Sequence, residues 1–292
     1  MKIRGERECQ ACGARWSYYE TGSVACPSCG SLRSVGVDGR TAHTDAPATL
    51  ALGPHRERIG DARGTLPAEG VDELKSTLRE YVRQRGFIRG GELLPIDPTY
   101  LAARELLEAV DAYEALIDPA DADRAYLLAL LAGAEDGDRP AADDVPVSLR
   151  EARGMADARA IEEYRDDLLA FLDELAESDG PTAGTASNGQ DGAGPADASG
   201  VPTTVTVESG DGADPTARIA PAREALERLR DRAKRVEALQ GDVDPAMADR
   251  LVDAAIDIGE YVRSGNENAL ATARTRLDGI ADREAEAPDR EE

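Results

Sequence analysis

The stretch ECQACGARWSYYETGSVACPSCG, Glu8–Gly30, holds all four cysteines of a 292-residue chain. Cys9, Cys12, Cys26 and Cys29 follow the spacing C-x2-C-x13-C-x2-C. A C-x2-C pair fits a tight turn that can aim both sulfurs at one ion, and two such turns complete a tetrahedron of thiolates. Gly13 and Gly30 each directly follow the second cysteine of a pair, where the backbone often needs a positive φ that glycine adopts cheaply. The spacing therefore predicts one metal ion held by these four residues. Zinc is the expected ion, and iron, which suits the same sulfur tetrahedron, is its competitor. Between the pairs, ARWSYYETGSVA predicts a hairpin: a strand over Arg15–Glu20, a turn at Thr21-Gly22-Ser23 and a return through Val24 and Ala25.

Cys9, Cys12-Gly13, Cys26-Pro27-Ser28-Cys29-Gly30 and the aromatic hairpin resemble the zinc-ribbon and rubredoxin-like modules, including the ribbon of transcription factor IIB-type proteins. The resemblance covers residues 1–40 and implies a transcription-related setting for the ribbon. The whole chain, with an acidic body behind the ribbon, resembles a group of haloarchaeal zinc-ribbon proteins, which implies a family and no particular activity. A rubrerythrin-like reading, a similar ribbon joined to a di-iron bundle, would require Glu-x-x-His motifs on facing helices. The two histidines, His43 and His55, stand in no such motif.

Composition points the same way. The formal net charge is −24, and of 34 cationic residues only Lys2, Lys75 and Lys234 are lysine. Aromatic residues make up 4 % of the chain, and alanine fills many apolar helical positions. Such a surface suits concentrated salt: at 1 M the Debye length is about 3 Å, and repulsion among surface carboxylates is nearly gone. In dilute buffer the same charge would push the compact state apart. The longest apolar run, Ala125–Ala134, is half the roughly 20 residues needed to cross a bilayer. The charged start MKIRGERE is unlike a secretory signal. These features predict a cytoplasmic protein with no membrane partner, where paired cysteines bind metal rather than each other.

Charge also divides the chain. Residues 1–40 carry 6 basic and 4 acidic side chains, a net of +2, and the rest carries −26. Residues 41–70, rich in Gly, Pro, Ala and Thr, read as a linker containing both histidines in exposed positions. Val71, Leu74, Leu78 and Val82 step by three and four, the period of an amphipathic helix. Asp97-Pro98 and Asp118-Pro119 each offer a helix start, a capping carboxylate followed by proline. A long helix is expected over Ser148–Ser178. FIRGGELL, Phe87–Leu94, fits a hairpin turning at Gly90-Gly91 and fits a helix-to-helix connection equally well. Residues 71–178 thus form a helical domain and 179–217, dense in Gly and Pro without Lys or Arg, a disordered linker. Val205–Val207 could supply a docking strand within it. Three further helices occupy 218–283, joined by the short connections of a bundle, and 284–292 form a tail. The expected class is mainly α, with a small N-terminal β zinc ribbon.

Catalytic signatures are missing: no phosphate loop, no HExxH and no G-x-S-x-G occurs. The expected function is therefore that of a non-enzymatic adapter whose ribbon binds a protein or nucleic-acid partner. An enzyme with its site among the helices and an iron-binding electron-transfer module are the alternatives. On the ribbon, Trp16 and Tyr19 could stack on a partner between Arg15 and Arg33, or could cover a module too small to have a core. Alternation along the expected strand puts Trp16 and Tyr18 on one face and Tyr19 on the other.

Overall fold

The structure, a computed structural model, describes residues 1–60, 66–178 and 215–286, without the side chains of 178 and 281–286. The expected linker at 179–217 lies outside the described residues up to 214, as do the possible strand at Val205–Val207 and the tail from 287. The chain is mainly helical, with small antiparallel sheets near its start.

The N-terminal module contains β1 (Lys2–Ile3), β2 (Glu6–Cys9), β3 (Arg15–Ser17), a single helical turn α1 (Tyr18–Thr21), β4 (Ser34–Gly36) and β5 (Thr41–Ala42). β2 is the middle strand, antiparallel to both β3 and β4, with Arg7 opposite Trp16 on one side and Gly36 on the other. This corrects the expected hairpin. Arg15 pairs backward with Glu8, because the first cysteine turn returns the chain directly onto β2. The strand ends at Ser17, and Gly22 closes the turn in the left-handed region at φ 61°. Val24 and Ala25 form no strand; the second cysteine turn carries the chain to β4 on the far edge of β2.

The body follows as α2 (Gly53–Gly60), α3 (Ala68–Gln84), β6 (Ile88–Arg89), β7 (Glu92–Leu93), α4 (Pro98–Ala115), α5 (Asp121–Gly133), α6 (Arg150–Ser178), α7 (Ile219–Ala238), α8 (Pro245–Ser264) and α9 (Glu267–Glu286). α4 starts where expected: the Asp97 carboxylate accepts from the Thr99 amide at 2.9 Å, and Pro98 takes the first helical position. α8 starts the same way at Asp244-Pro245. Asp118-Pro119 does not start α5. The helix begins at Asp121, because Asp123 reaches back to the Ala120 amide at 2.8 Å and caps the end itself. Phe87–Leu94 is a hairpin, and Gly90 and Gly91 both take the positive φ that its two-residue turn demands.

One apolar core runs from Ala42 to Ile280, drawing residues from both sides of 179–214. α6 is its axis and packs against α4, α7 and α8. Phe87 meets the fully buried Tyr100 and Tyr164 edge-on at 5.2 and 4.9 Å, joining the β6–β7 hairpin to α4 and α6. Each such ring contact adds about 0.5–1.5 kcal/mol beyond the area it buries. Gly259 on α8 lets Tyr164 approach so closely that a Cβ there would sit 1.8 Å from its hydroxyl oxygen.

Residues 41–60, expected as linker, are built into this core. Leu50, Leu52 and Ile59 are buried, and so are both histidines expected in exposed positions. Asp45, fully buried, is the reason the segment is held. It accepts from Arg89 and from the Gly86 amide, and pairs with Arg85 at 2.9 Å. Thr44 donates to Asp167 of α6 at 2.6 Å, and its amide donates to the Ile88 carbonyl at 2.8 Å. The Asp45 and Ala46 amides likewise donate to the Ile88 and Gln84 carbonyls at 3.1 and 2.8 Å, so the buried backbone of the segment is satisfied by the body it lies against.

Candidate metal centre

Each cysteine pair is built by the same short pattern. The Gly13 amide donates to the Cys9 carbonyl at 2.9 Å and the Cys9 amide to the Ala14 carbonyl at 2.8 Å. In the second turn Gly30 donates to Cys26 at 2.8 Å and Cys26 to Ser31 at 2.9 Å. Gly13 and Gly30 stand at φ 73° and 70°, the left-handed conformation expected of them. The Gln10 amide donates to the Arg33 carbonyl at 2.8 Å and ties the first turn to the chain leaving the second.

The two turns bring all four Sγ atoms within 4.8 Å of one another. Cys9 Sγ lies 3.7 Å from Cys29 Sγ, and Cys12 Sγ lies 3.6 Å from Cys26 Sγ. A disulfide needs about 2.05 Å, and all four cysteines are free. A metal with about 2.3 Å bonds to four sulfurs at tetrahedral angles would separate neighbouring sulfurs by about 3.8 Å. The spacing fits an ion at the centre of the cluster. Cys9 and Cys26 are buried, and Cys12 and Cys29 lie at the surface.

The surrounding amides prepare the site for charge. The Ala11 and Cys12 amides bring the Cys9 thiol down to about 6. Burial pushes Cys26 up, but the Cys29 and Ser28 amides outweigh it and its value falls too. Cys12 is pulled down by the Ala14 amide but pushed further up, to about 12, by the sulfurs of Cys29 and Cys26. Cys29 is raised as well, with the Ser31 amide opposing the push of Cys26 and Cys9. Metal ligation requires every sulfur as thiolate, so loading an ion releases the protons that remain on the thiols.

The residues singled out for partner binding are scattered by their surroundings. Trp16 is buried beside Cys9 and Cys26, and its Nε1 donates to the Ser23 carbonyl at 3.1 Å. Tyr19 donates or accepts at Thr41 Oγ1 over 2.6 Å, and its ring lies against His43 at 4.9 Å. A Cβ on Gly5 or Gly90 would strike that ring at 1.9 or 2.9 Å, so Tyr19 bolts the ribbon onto the body hairpin. Arg15 is exposed and pairs with Glu8 at 2.6 Å, while Arg33 is exposed with no carboxylate in reach among the described residues. Tyr18, half-buried, leaves the strand geometry at Ser17 and opens onto a groove with Arg4, Arg7 and Arg40.

One polar cluster gave no sequence signal. Glu105 of α4 is fully buried, and Arg139, Arg153, Asp157 and Asp249 surround it. Tyr126 of α5 donates to Glu105 as well. Only Arg153 and Asp157 stand at helical spacing, and in a chain with 58 acidic residues five scattered charges attract no notice. Every guanidinium in it is matched to carboxylates, which makes it a clamp between α4, α6 and α8.

No helix among the described residues is long and apolar enough to cross a membrane. No curated protein and no solved structure matches the chain. One family model does, over residues 1–189 and 210–277, which takes in the cysteine cluster and nearly all of the helical body. The chain therefore belongs to the family described as "Family of unknown function (DUF7117)".

Proposed function

We propose that this chain is a non-enzymatic adapter, cytoplasmic and adapted to salt, whose zinc-bound ribbon presents a binding face to a macromolecular partner. Four thiolates around one ion fill its coordination and leave no open position for a substrate, the arrangement of a structural zinc site. Zinc in that position holds together a module of about 40 residues, too small to fold on its own core. Cys9, Cys12, Cys26 and Cys29 are the ligands, and the helical body is the platform on which the ribbon is mounted.

The carrying observation is where apolar surface has been left open. Val24, Leu32, Val35 and Val37 of the ribbon are all exposed, Leu32 at 72 %, whereas the exposed large apolar residues of the body among the described residues, Ile117, Val147 and Leu239, stand singly and far apart in the sequence. Exposed apolar side chains gathered on one small module mark a contact surface. Arg15 and Arg33 stand on the same module and are the cations available to that contact. A groove of the helical body, about 580 Å³ along α8 and α9, is lined by Arg250, Asn268, Thr272, Thr275 and Arg276 among others, with neither histidine nor cysteine.

The test is capture of partners from a high-salt lysate, with and without nuclease, by the wild type and by a Leu32→Ser, Val35→Ser variant. The variant should retain one equivalent of zinc and lose the partners that the wild type retains. Identical partner profiles sink the adapter reading. Iron in place of zinc by elemental analysis sinks the metal assignment.

A further inference from the structure

The helical body sets many of its arginines against carboxylates: Arg56 against Glu135, Arg85 against Asp97, Arg139 against Asp157, Arg276 against Asp257. The ribbon contains the exception. Lys2, Arg4, Arg7 and Arg40 line one groove of about 450 Å³ together with Ile3, Tyr18, Val24 and Gly36, and no carboxylate lines it. Lys2 is drawn partly away, 3.4 Å from Glu174. Arg7 is held in place by its own strand neighbours, Nε donating to Ser34 Oγ at 3.0 Å and Nη2 to the Ser34 carbonyl at 3.3 Å. Arg4 makes one long contact to the Gly36 carbonyl at 3.4 Å, and Arg40 contacts no acceptor among the described residues.

Three guanidiniums without a paired carboxylate among the described residues, in a chain of net −24, form a site for an anion. Their arrangement selects its kind. Guanidinium forks match phosphate oxygens, and a groove with several forks suits phosphates repeated along a chain. Tyr18 adds a feature that a carboxylate-rich peptide would not use. Tyr18 is half-buried in the groove wall, its ring steeply inclined to that of His43, 71° between planes with centroids 6.1 Å apart. Aromatic rings beside a cationic track are the pattern of single-stranded nucleic-acid binding, since every base offers a face to stack.

We infer that the groove between β1, β2 and β4 binds single-stranded nucleic acid, with Arg4, Arg7 and Arg40 on consecutive phosphates and a base stacked on Tyr18. This deepens the adapter reading and rests on it, because the ribbon must be folded around its metal to form the groove. It leaves Val35 and Leu32 free for a second, protein contact.

The experiment is fluorescence anisotropy of a labelled single-stranded 15-mer with the zinc-loaded full chain between 50 and 200 mM KCl. Three phosphate contacts predict a log–log salt slope of about −2, an affinity loss of roughly 20-fold over that range. An Arg4→Ala, Arg40→Ala variant should keep its zinc and flatten the slope to about −0.7, a loss of roughly 3-fold. Tyr18→Ala should weaken binding by about 5- to 150-fold while Tyr18→Phe preserves it. Helical circular dichroism and the zinc equivalent are read at each salt concentration; no binding at 50 mM KCl by chain that keeps both, or a slope unchanged in the double arginine variant, overturns the inference. So does displacement by poly-glutamate as effective as by unlabelled oligonucleotide, which would make the groove a site for acidic protein. These failures leave the adapter reading standing, because that reading falls only with the partner profile of the Leu32, Val35 variant.

Discussion

Replacing Arg153 with methionine tests whether the chain on either side of residues 179–214 is held as one body. Arg153 Nη1 donates to both Glu105 oxygens at 2.9 and 2.8 Å. Its Nη2 donates to the two Asp249 oxygens at 2.8 and 3.0 Å, and Nε to Asp249 at 3.1 Å. Glu105 precedes the 179–214 segment and Asp249 follows it, so one side chain pins α4 and α8 to α6. In the wild type, three carboxylates face two guanidiniums. Without Arg153 the same three face only Arg139, which already serves Glu105 at 2.5 Å and Asp157 at 2.8 Å. Breaking one side of a buried ion pair costs about 3–5 kcal/mol, mostly for the charge left uncompensated. With an m-value of about 2–3 kcal/mol/M, the urea midpoint should fall by about 1–2 M. Salt held constant across the series removes the contribution of exposed pairs.

Because methionine also changes packing, a double-mutant cycle with Glu105→Gln separates the two effects. Neutralising Glu105 restores the charge balance that Arg153→Met disturbs, so the double variant should lose less than the two single losses together, by about 2–3 kcal/mol. Coupling of that size lies well above the few tenths expected for independent sites. An Arg153→Met cost under about 1 kcal/mol, or additivity within about 0.5 kcal/mol, would refute a buried clamp. The halves would then be held by apolar contact alone.

Cys26→Ser should abolish the metal equivalent and red-shift the fluorescence of Trp16, the only tryptophan, while helical circular dichroism survives; a variant that keeps its metal contradicts the four-ligand site. Gly154→Ala should cost about 1–3 kcal/mol of unfolding free energy in urea melts, since its Cβ would sit 2.2 Å from the Gly241 carbonyl oxygen. Gly279→Ala, whose Cβ meets nothing, should instead gain about 0.5–1 kcal/mol as an ordinary helix substitution. Burial pushes Asp157 up to about 6 from 3.8, against the pull of Arg139 and Arg153, so the folded state binds its proton first. That stabilisation is complete below about pH 4 and lost as pH rises through 6; Asp157→Asn should remove this fall from urea melts taken at pH 4 to 7. His43 and His55, held low by burial, act with the opposite sign and destabilise the fold as pH falls below about 6.5, so Asp157→Asn should leave that acid loss more visible.

What could be read from the sequence was whatever is local or periodic. Four cysteines within 21 positions specify their own turns, and Gly13 and Gly30 mark where those turns close. Helices announce themselves by spacing, as Val71, Leu74, Leu78 and Val82 do, and Asp97-Pro98 by its cap. Asp118-Pro119 misled because the same dipeptide signal was overruled by Asp123 three residues into the next turn. The β2–β3–β4 order was hidden for a different reason. Alternation of side chains says which residues form a strand but not which strand they meet, and the return path was set by the cysteine turns. The largest misreading, residues 41–60 as linker, comes from averaging. Composition measures apolar content over a window, while Asp45 works through three partners 40 to 44 positions away and Thr44 through one 123 away. A joint built from single polar contacts has no period to detect. Its consequence is physical: with Asp45 buried and Tyr19 seated between Gly5 and Gly90, the ribbon is fixed on the body rather than tethered to it. A fixed mount keeps the cationic groove and the exposed valines at a set angle to the acidic helices, so a polyanion approaching the groove must do so from the side that the body leaves open.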